Sequence, residues 1–282
     1  FAPAMIGAGV HAGVFELDHA LSQRDQAGIS LGEALDRIGY RGDVPVGSTA
    51  IGAMFELHIE QGPILEAEGR TIGVVRGVQG ARWFDVEIVG QEAHAGSTPM
   101  GLRRDALVAA AQLIQQVDQL ARATTGAAGT VGVVQVEPGS RNVVPGVVSL
   151  SVDLRHPDEG KLQELEEGFR AVLDKLERDG SVRTTTRRIW DSPPVAFADE
   201  CVSCIRDAAA SLGYPMREMV SGAGHDAAYI ARIAPTAMIF VPCANGLSHN
   251  EAEKASLEDC AAGAQVLLQS VLAYDEKFNS GN

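Results

Sequence analysis

The sequence predicts an α/β protein in which a mostly parallel-sheet domain is interrupted by an inserted α+β sandwich domain. Near both ends of the chain, apolar strand patterns alternate with helical patterns, which is typical of largely parallel sheets. The middle instead reads strand, strand, helix, strand, strand, helix, strand, which is typical of one sheet with helices on one face. We therefore predict one domain from residues 1–78 and 190–282, with residues 79–189 inserted as a second domain.

Each element is justified by its local pattern. Residues 30–38 have the apolar spacing of a helix, and Ser30 followed by Glu33 predicts a capping box at its start. Residues 50–59 predict a mostly buried strand, and a short helix follows over residues 64–68.

The remaining elements follow the same periodicities. In and beside the inserted segment, we predict strands over residues 72–78, 83–89, 130–136, 147–154 and 181–189, and amphipathic helices over residues 105–123 and 159–178. Towards the end of the chain, we predict helices over residues 199–212, 227–233 and 257–274, and strands over residues 216–220 and 236–241.

Composition excludes several classes of function. The 282 residues contain 23 Lys and Arg against 37 Asp and Glu, a formal net charge of −14. A nucleic-acid partner is therefore not expected, because such proteins need a basic face. No apolar run approaches the roughly 18 residues of a membrane span. The chain starts without the basic stretch of a signal peptide, and we expect a cytoplasmic protein without a membrane partner.

The four cysteines do not predict a disulfide framework in a chain of this length. Cys201 and Cys204 have the spacing of a metal or redox motif, but no second pair accompanies them. We interpret both as small buried apolar residues at the start of a helix.

Histidines carry the strongest chemical signals. In a strand, Glu56, His58 and Glu60 would share one face. Three polar groups of this kind are costly to bury unless they are paired or bind metal, and a solvated strand face is the alternative. His94 lies in a loop among small residues, which suits binding, although such a histidine is more often a plain surface residue. His11, His19 and His156 receive no role.

Two further histidines lie where α/β enzymes place site residues. His225 follows a glycine-containing turn and enters a helix, where backbone N–H groups favour anions. His249 follows the apolar strand at residues 236–241. No G-x-S-x-G elbow, P-loop or GxGxxG motif occurs. Metal-assisted hydrolysis is the enzyme class that remains.

Seven short motifs occur in order over essentially the whole chain: Met5-Ile6-Gly7, ELHIEQG from Glu56, EAHAGSTPM from Glu92 with Arg103-Arg104-Asp105 following, Asn142-Val143-Val144-Pro145, Asp153-Leu154-Arg155, SGAGHD from Ser221 and SHNEAE from Ser248. Together these motifs resemble the zinc-type amidohydrolases of the M20 peptidase group. The resemblance is closest to the branch containing N-carbamoyl-L-amino acid hydrolases, allantoate amidohydrolases and β-ureidopropionases.

The resemblance implies a catalytic domain, an inserted lid and dimerisation domain, and a two-metal site acting on a small-molecule substrate. It implies that His58 binds one metal ion and His249 the other, with zinc, manganese, cobalt or nickel all suited to such ligands. His94 would enter the partner subunit's site and stabilise the oxyanion, with Asn142 beside it. Arg155 would clamp the substrate carboxylate, and Gln61, Gly224 and His225 would line the substrate pocket.

The family's other metal ligands, a His, a bridging Asp and an adjacent Glu pair that includes the general base, stand upstream of the Met5 motif. None of them occurs in the given sequence, and the full-length protein would have to carry them before Phe1. Without them, the chain should bind metal weakly and lack its base.

Two hypotheses follow from the resemblance. One is a homodimeric N-carbamoyl-L-amino acid hydrolase, with allantoate, β-ureidopropionate or a dipeptide as alternative substrates. The other is a catalytically inactive fragment or dimerising remnant of that family.

Overall fold

The computed structural model describes residues 1, 4–179 and 182–279. Its α-helices, in chain order, are α1 (Ile6–His11), α2 (Leu17–Ser22), α3 (Leu31–Ile38), α4 (Ile64–Ala67), α5 (Ala106–Ala123), α6 (Glu159–Asp179), α7 (Asp199–Ser211), α8 (Asp226–Ile230) and α9 (Leu257–Tyr274). Within these described residues, no helix combines the length and the apolar character that a membrane span requires.

The β-strands, in chain order, are β1 (Met54–Ile59), β2 (Ile72–Val78), β3 (Gly80–Val89), β4 (Ala93–His94), β5 (Ala128–Thr130), β6 (Val134–Glu137), β7 (Val143–Val144), β8 (Val147–His156), β9 (Arg183–Ser192), β10 (Val195–Ala196), β11 (Met216–Ser221) and β12 (Thr236–Val241).

The chain forms two compact units. One comprises Phe1–Val78 and Val195–Asn282, and the other comprises Gln79–Pro194. The second unit ends five residues later than the boundary expected at residue 189. The reason is that β9 continues to Ser192, which pairs with Ala81 of β3, so the whole strand belongs to the inserted sheet.

The first unit contains a mixed sheet. β1 pairs with β12 in parallel, and β2 pairs with β11 in parallel. However, β2 runs antiparallel to β12 and to β10, so the sheet is less parallel than the sequence pattern indicated. β12 lies between β1 and β2 in the sheet, and β1 and β2 therefore run in opposite directions.

Helices α7 and α9 bury this sheet. β12 is buried at all six positions, and the core combines its residues with apolar side chains of β2, α7 and α9. Gly263 allows α9 to lie directly on the sheet, because a Cβ there would come within 2.7 Å of Leu57 and Val241. Cys201 and Cys204 of α7 are buried, as expected, and burial raises the pKa of Cys201 to about 12.

The inserted unit is an antiparallel sheet covered on one face. Its strands run in the order β5, β8, β3, β9, with β6 also pairing with β8. Alternate residues of β3 and β8 are buried, and they pack against the apolar stripes of α5 and α6. The strand expected over residues 130–136 is instead divided into β5 and β6.

Element boundaries differ locally from the sequence prediction. The capping box at Ser30 is confirmed, since Ser30 and Glu33 exchange both hydrogen bonds. The strand expected from residue 50 begins at Met54, and the helix expected over residues 227–233 is α8, which ends at Ile230. Ser181, the expected first residue of one strand, lies outside the described residues.

Candidate active site

His58 lies on β1 with one nitrogen fixed by the backbone. Its Nδ1 is 2.8 Å from the carbonyl oxygen of Ile59. A carbonyl can only accept, so Nδ1 carries the proton and Nε2 keeps a free lone pair. This tautomer is the one in which a histidine binds a metal ion or accepts a proton through Nε2.

His225 lies against His58, although 167 residues separate them in the sequence. The two rings meet edge to face, with centroids 4.7 Å apart. His225 is buried, its Nε2 is 2.8 Å from Ser221 Oγ, and its Nδ1 is 3.8 Å from Glu56 Oε1. Burial, together with the nearby His58, lowers the pKa of His225 to about 4, so its ring is neutral at pH 7.

Glu56 connects β1 to the start of α8. Its Oε2 accepts a hydrogen bond of 2.9 Å from the backbone N–H of Ala227, in the first turn of α8. Burial raises the pKa of Glu56 above its usual value, and the Ala227 N–H and His58 partly offset that rise. The neighbouring Asp226 raises it further. Glu56, His58 and His225 therefore form a half-enclosed polar cluster at the sheet.

Gln61 and His249 lie in two loops that contact each other. Gln61 Nε2 donates to Ser248 Oγ over 2.7 Å, and Gln61 and His249 both adopt left-handed backbone conformations. The N–H of His249 donates to Glu253 Oε2. Hydrogen bonds from Ser248 and His249, with electrostatic interactions from His249 and His58, lower the pKa of Glu253. Glu253 thus lies within electrostatic reach of both predicted metal-binding histidines.

Gly224 lies in the loop before His225 and is exposed. A Cβ at this position would come within 3.0 Å of Met5 Cε. The loop therefore packs against Met5, the residue immediately before α1, and two of the sequence motifs meet there. A larger residue at position 224 would have to displace Met5.

His94 and Asn142 are neighbours in the inserted unit. β4 pairs with β7, and the N–H of Ala95 donates to the carbonyl of Asn142 over 2.9 Å. The Nδ1 of the exposed His94 accepts from the backbone N–H groups of Gly96 and Ser97, each at 3.1 Å. Since Nδ1 accepts, the proton lies on Nε2, which is free to donate to an oxyanion.

Arg155 lies on β8 beside Asp153. Its Nε and Nη2 atoms donate to the Asp153 carboxylate at 2.8–3.0 Å, so one edge of the guanidinium is already held in a fork. Both side chains are about 70% buried. This contact fixes the plane of the guanidinium, which is the orientation that bidentate recognition of a carboxylate requires.

A model of the peptidase family M20/M25/M40 matches residues 3–273. This chain belongs to that family. The resemblance stated from its motifs is thereby confirmed, as is the α/β class.

Several curated proteins are similar to this chain in sequence. The chain is 46% identical over 273 residues to an N-carbamoyl-L-amino-acid amidohydrolase of Rhizobium meliloti. That alignment covers 96% of this chain and 66% of the relative. The chain is 39% identical over 223 residues to an allantoate amidohydrolase of Escherichia coli (strain K12), covering 77% and 53% of the two proteins. A crystal structure of a hydantoinase/carbamoylase family amidase from Burkholderia multivorans superposes with a TM-score of 0.94 at 51% identity, covering 97% and 67%.

The M20 chain therefore spans about two thirds of the length of the curated relatives that it matches. Members of the family are in general metal-dependent hydrolases. Within residues 1, 4–179 and 182–279, however, no three His, Cys, Asp or Glu side chains converge so that they could hold a metal ion. The residues present thus supply individual ligand-type groups but not a complete ligand set.

Some contacts of the candidate site residues could not be predicted from local sequence patterns. Glu60, expected on the same strand face as His58, is buried and accepts the N–H groups of Ile64 and Leu65, so it caps the short helix α4. Ser221 and Glu253 contact His225 and His249, and neither was selected from the sequence. Ser221 lies in the motif that contains His225, and Glu253 lies in the motif that contains His249. These positions were the sequence signal from which the two contacts could have been predicted.

Proposed function

We propose that the protein containing this M20 chain is an amidohydrolase that cleaves a C–N bond of an N-carbamoyl-L-amino acid. The supporting observation is the 46% identity, over 96% of the chain, to an N-carbamoyl-L-amino-acid amidohydrolase. Water would add to the carbamoyl carbon and the bond to the amino acid nitrogen would break. The amino acid leaves with a proton on that nitrogen, and the carbamic acid decomposes to ammonia and carbon dioxide.

The geometry suits specific roles in this proposal. His94, with its Nε2 proton free, would donate to the developing oxyanion, and Asn142 beside it would help to orient the carbonyl. Arg155, held in plane by Asp153, would bind the substrate carboxylate. Gln61, Gly224 and the neutral His225 would line the substrate pocket in the other unit.

We further propose that His58 and His249 each bind one of two divalent ions, zinc or alternatively manganese, cobalt or nickel. The free Nε2 of His58 supports this assignment. Such ions would polarise the scissile carbonyl and activate water when bound. A homodimer formed through the inserted unit, in the cytoplasm, completes the proposal.

Steady-state assays on the whole protein test the activity. Turnover of N-carbamoyl-L-amino acids at the highest kcat/KM among N-carbamoyl amino acids, allantoate, β-ureidopropionate and a dipeptide would support it. A preference for allantoate would move the protein towards the relative from Escherichia coli. Activity on the dipeptide alone would contradict the amidohydrolase proposal.

The alternative is that this polypeptide is an inactive fragment or a dimerising remnant, which the incomplete ligand set among the described residues favours. Metal analysis of the 282-residue chain after dialysis tests this alternative. Tight binding of two ions per chain would contradict the alternative.

A further inference from the structure

The four aromatic side chains of the inserted unit divide between the two faces of its sheet. Phe84 and Phe169 are fully buried on the face that the helices cover, where their rings meet at 5.0 Å. Trp83 and Trp190 lie on the opposite face and are 40% and 38% exposed. Tryptophan is highly buried on average in folded proteins, and where it is exposed it is enriched at binding surfaces. The open face of this sheet therefore has the composition of a binding surface at this place.

The two indoles form one cross-strand pair. Trp83 of β3 lies directly opposite Trp190 of β9, with ring centroids 5.9 Å apart and an interplanar angle of 34°. Aromatic rings at this separation attract each other. Two residues further along the strands, Asp85 and Arg187 form an ion pair at 3.0 Å. The apolar patch therefore ends at a charged boundary on that side, and its size suits a small molecule.

A β-bulge creates this pair. The register of β3 against β9 shifts by one residue immediately after Trp83. As a result Trp190, and not Ile189, lies opposite Trp83. In a regular ladder Ile189 would take that place, and Trp190 would point to the helix-covered face. Bulges are over-represented next to active sites, where they redirect a side chain.

The pair lies beside the candidate carboxylate-binding residue. Trp83 is directly opposite Asp153 of β8, whose carboxylate holds the Arg155 guanidinium at 2.8–3.0 Å. Asp153 and Arg155 are two residues apart and lie on the same face of the sheet as the indoles. Trp83 and Arg155 are thus diagonal neighbours on two antiparallel strands, which places them about 7–8 Å apart. A ligand whose carboxylate binds Arg155 has the indole pair within reach of its side chain.

We propose that Trp83 and Trp190 form the subsite for the side chain of the substrate, and that they select N-carbamoyl-L-amino acids with an aromatic side chain. The inference rests on the proposed function, in which Arg155 binds the substrate carboxylate. An aromatic ring gains more on an indole than an aliphatic group of equal area does, because ring quadrupoles attract each other in offset and tilted arrangements. A methyl side chain, in contrast, is too small to cover both indoles.

A purely structural cross-strand pair is the alternative. Such a pair would stabilise the sheet, and its loss would lower activity on every substrate by the same factor. A side-chain subsite instead changes the ratio of kcat/KM between two substrates, because only one of them uses the contact. The ratio for N-carbamoyl-L-phenylalanine over N-carbamoyl-L-alanine therefore distinguishes the two roles.

The test measures this ratio in the whole, active protein. The unaltered protein should favour the phenylalanine compound at least about tenfold. Trp83→Ala and Trp190→Ala should each lower the ratio at least about fivefold, whereas Trp190→Phe should keep most of it because an aromatic ring remains. The matched control is Ile189→Ala, which removes an exposed apolar side chain of the same strand that does not lie opposite Trp83. It should leave the ratio unchanged.

A second comparison isolates the aromatic contribution. N-carbamoyl-L-cyclohexylalanine has a side chain of similar size without a π face. The unaltered protein should favour the phenylalanine compound over it, and the two alanine variants should lose that preference. Equal kcat/KM for both compounds in the unaltered protein would contradict selection of an aromatic ring.

Fluorescence gives a readout that does not depend on activity. Trp83 and Trp190 are the two tryptophans of the 282-residue chain, so its tryptophan emission reports on this pair alone. N-carbamoyl-L-phenylalanine should change the emission at a concentration at least about fivefold lower than N-carbamoyl-L-alanine does. If an alanine variant failed to fold, this titration and the Trp190→Phe ratio would decide. Emission that the phenylalanine compound does not change would contradict the subsite.

The remaining outcomes separate this inference from the function on which it rests. Turnover of both compounds with an unchanged ratio in both alanine variants would remove the subsite and leave the proposed function intact. An alanine variant that dissociates an oligomer without changing the ratio would assign the indoles to an interface between copies. No turnover of any N-carbamoyl amino acid would instead remove the proposed function, and the subsite with it.

Discussion

The imidazole rings of His58 and His225 lie edge to face at 4.7 Å, and this contact joins β1 to the start of α8. His225 is only 3% exposed and donates or accepts through Nε2 at Ser221. A protonated ring at this place would bury a charge beside a second imidazole. The fold therefore holds His225 neutral.

The first prediction follows from this burial. In the metal-free chain, the His225 ring should titrate near pH 4 in an NMR pH series, because burial lowers its pKa to about 4. Its folded pKa lies below its unfolded value of about 6.5, so the unfolded state binds more protons between these values. The free energy of unfolding should fall by up to about 3 kcal/mol as the pH drops from 6.5 to 4.

His225→Gln should lose that pH-dependent component, whereas His19→Gln, at an exposed position without an assigned role, should retain it. A His225 ring that titrates at its ordinary value would contradict the buried, neutral state.

Local patterns were sufficient for much of the fold. The apolar run at residues 236–241 became the fully buried β12, and the alternation over residues 83–89 became β3, with one face on the core. Both strands could be predicted because the spacing of apolar residues over a short window is visible in the sequence itself. The direction of β2 did not follow, because it depends on which strand it pairs with, and that pairing is a long-range contact.

The candidate site shows the same division. The histidines were recognisable from their motifs. However, the hydrogen bond between Glu56 and Ala227 links residues that are 171 positions apart, and no local sequence pattern predicts such a long-range contact. Glu60 was expected with His58 because strand alternation places both on one face. It instead turns to cap α4, whose N-terminal amides would otherwise be unsatisfied.

The second prediction concerns the buried charge network of the inserted unit. Glu166 is 5% exposed and lies 2.9 Å from Arg82 and 2.7 Å from Arg170. Glu166→Gln should lower the free energy of unfolding of this unit by about 2–3 kcal/mol, because it leaves the buried guanidinium of Arg82 less compensated. Urea unfolding followed by tryptophan fluorescence measures it, since both tryptophans, Trp83 and Trp190, lie in this unit.

The matched control is Glu164→Gln on the same helix. Glu164 makes an exposed pair with Lys161, and its loss should cost less than about 1 kcal/mol. Equal costs for the two variants would show that the buried network contributes nothing specific.

The third prediction gives this network a pH dependence. Burial opposes the ionisation of Glu166, but the hydrogen bond from Arg170 and the charges of Arg170, Arg82 and Arg188 outweigh it, so the pKa is lowered below 4.5. A lowered folded pKa contributes stability above pH 4.5 that is lost as the pH falls through the folded value. Below pH 4.5, the unfolding curve of Glu166→Gln should therefore depend less on pH than that of the unaltered chain. Parallel slopes in both proteins would refute the assignment.

The fourth prediction tests His94 in the whole, active protein. His94→Ala should lower kcat about 10²–10³-fold with a much smaller change in KM, because an oxyanion donor acts in the transition state. His19→Ala serves as the control. An unchanged kcat would remove the oxyanion role. A loss of kcat accompanied by a changed melting temperature would instead assign His94 to the folding of the Gly96–Ser97 turn, whose amides it accepts.

The fifth prediction separates charge from geometry at Arg155. Asp153 holds the Nε and Nη2 edge of the guanidinium, which fixes the plane of the group that would recognise the substrate carboxylate. Arg155→Lys preserves the charge and loses the fork, so KM should rise at least about tenfold while kcat changes little. Asp153→Asn should give a smaller rise in KM, because the guanidinium stays but is held less firmly in plane. A substrate analogue without the carboxylate should bind equally to the unaltered protein and to both variants. If Arg155→Lys leaves KM unaltered, or weakens binding of that analogue as well, Arg155 does not recognise the carboxylate.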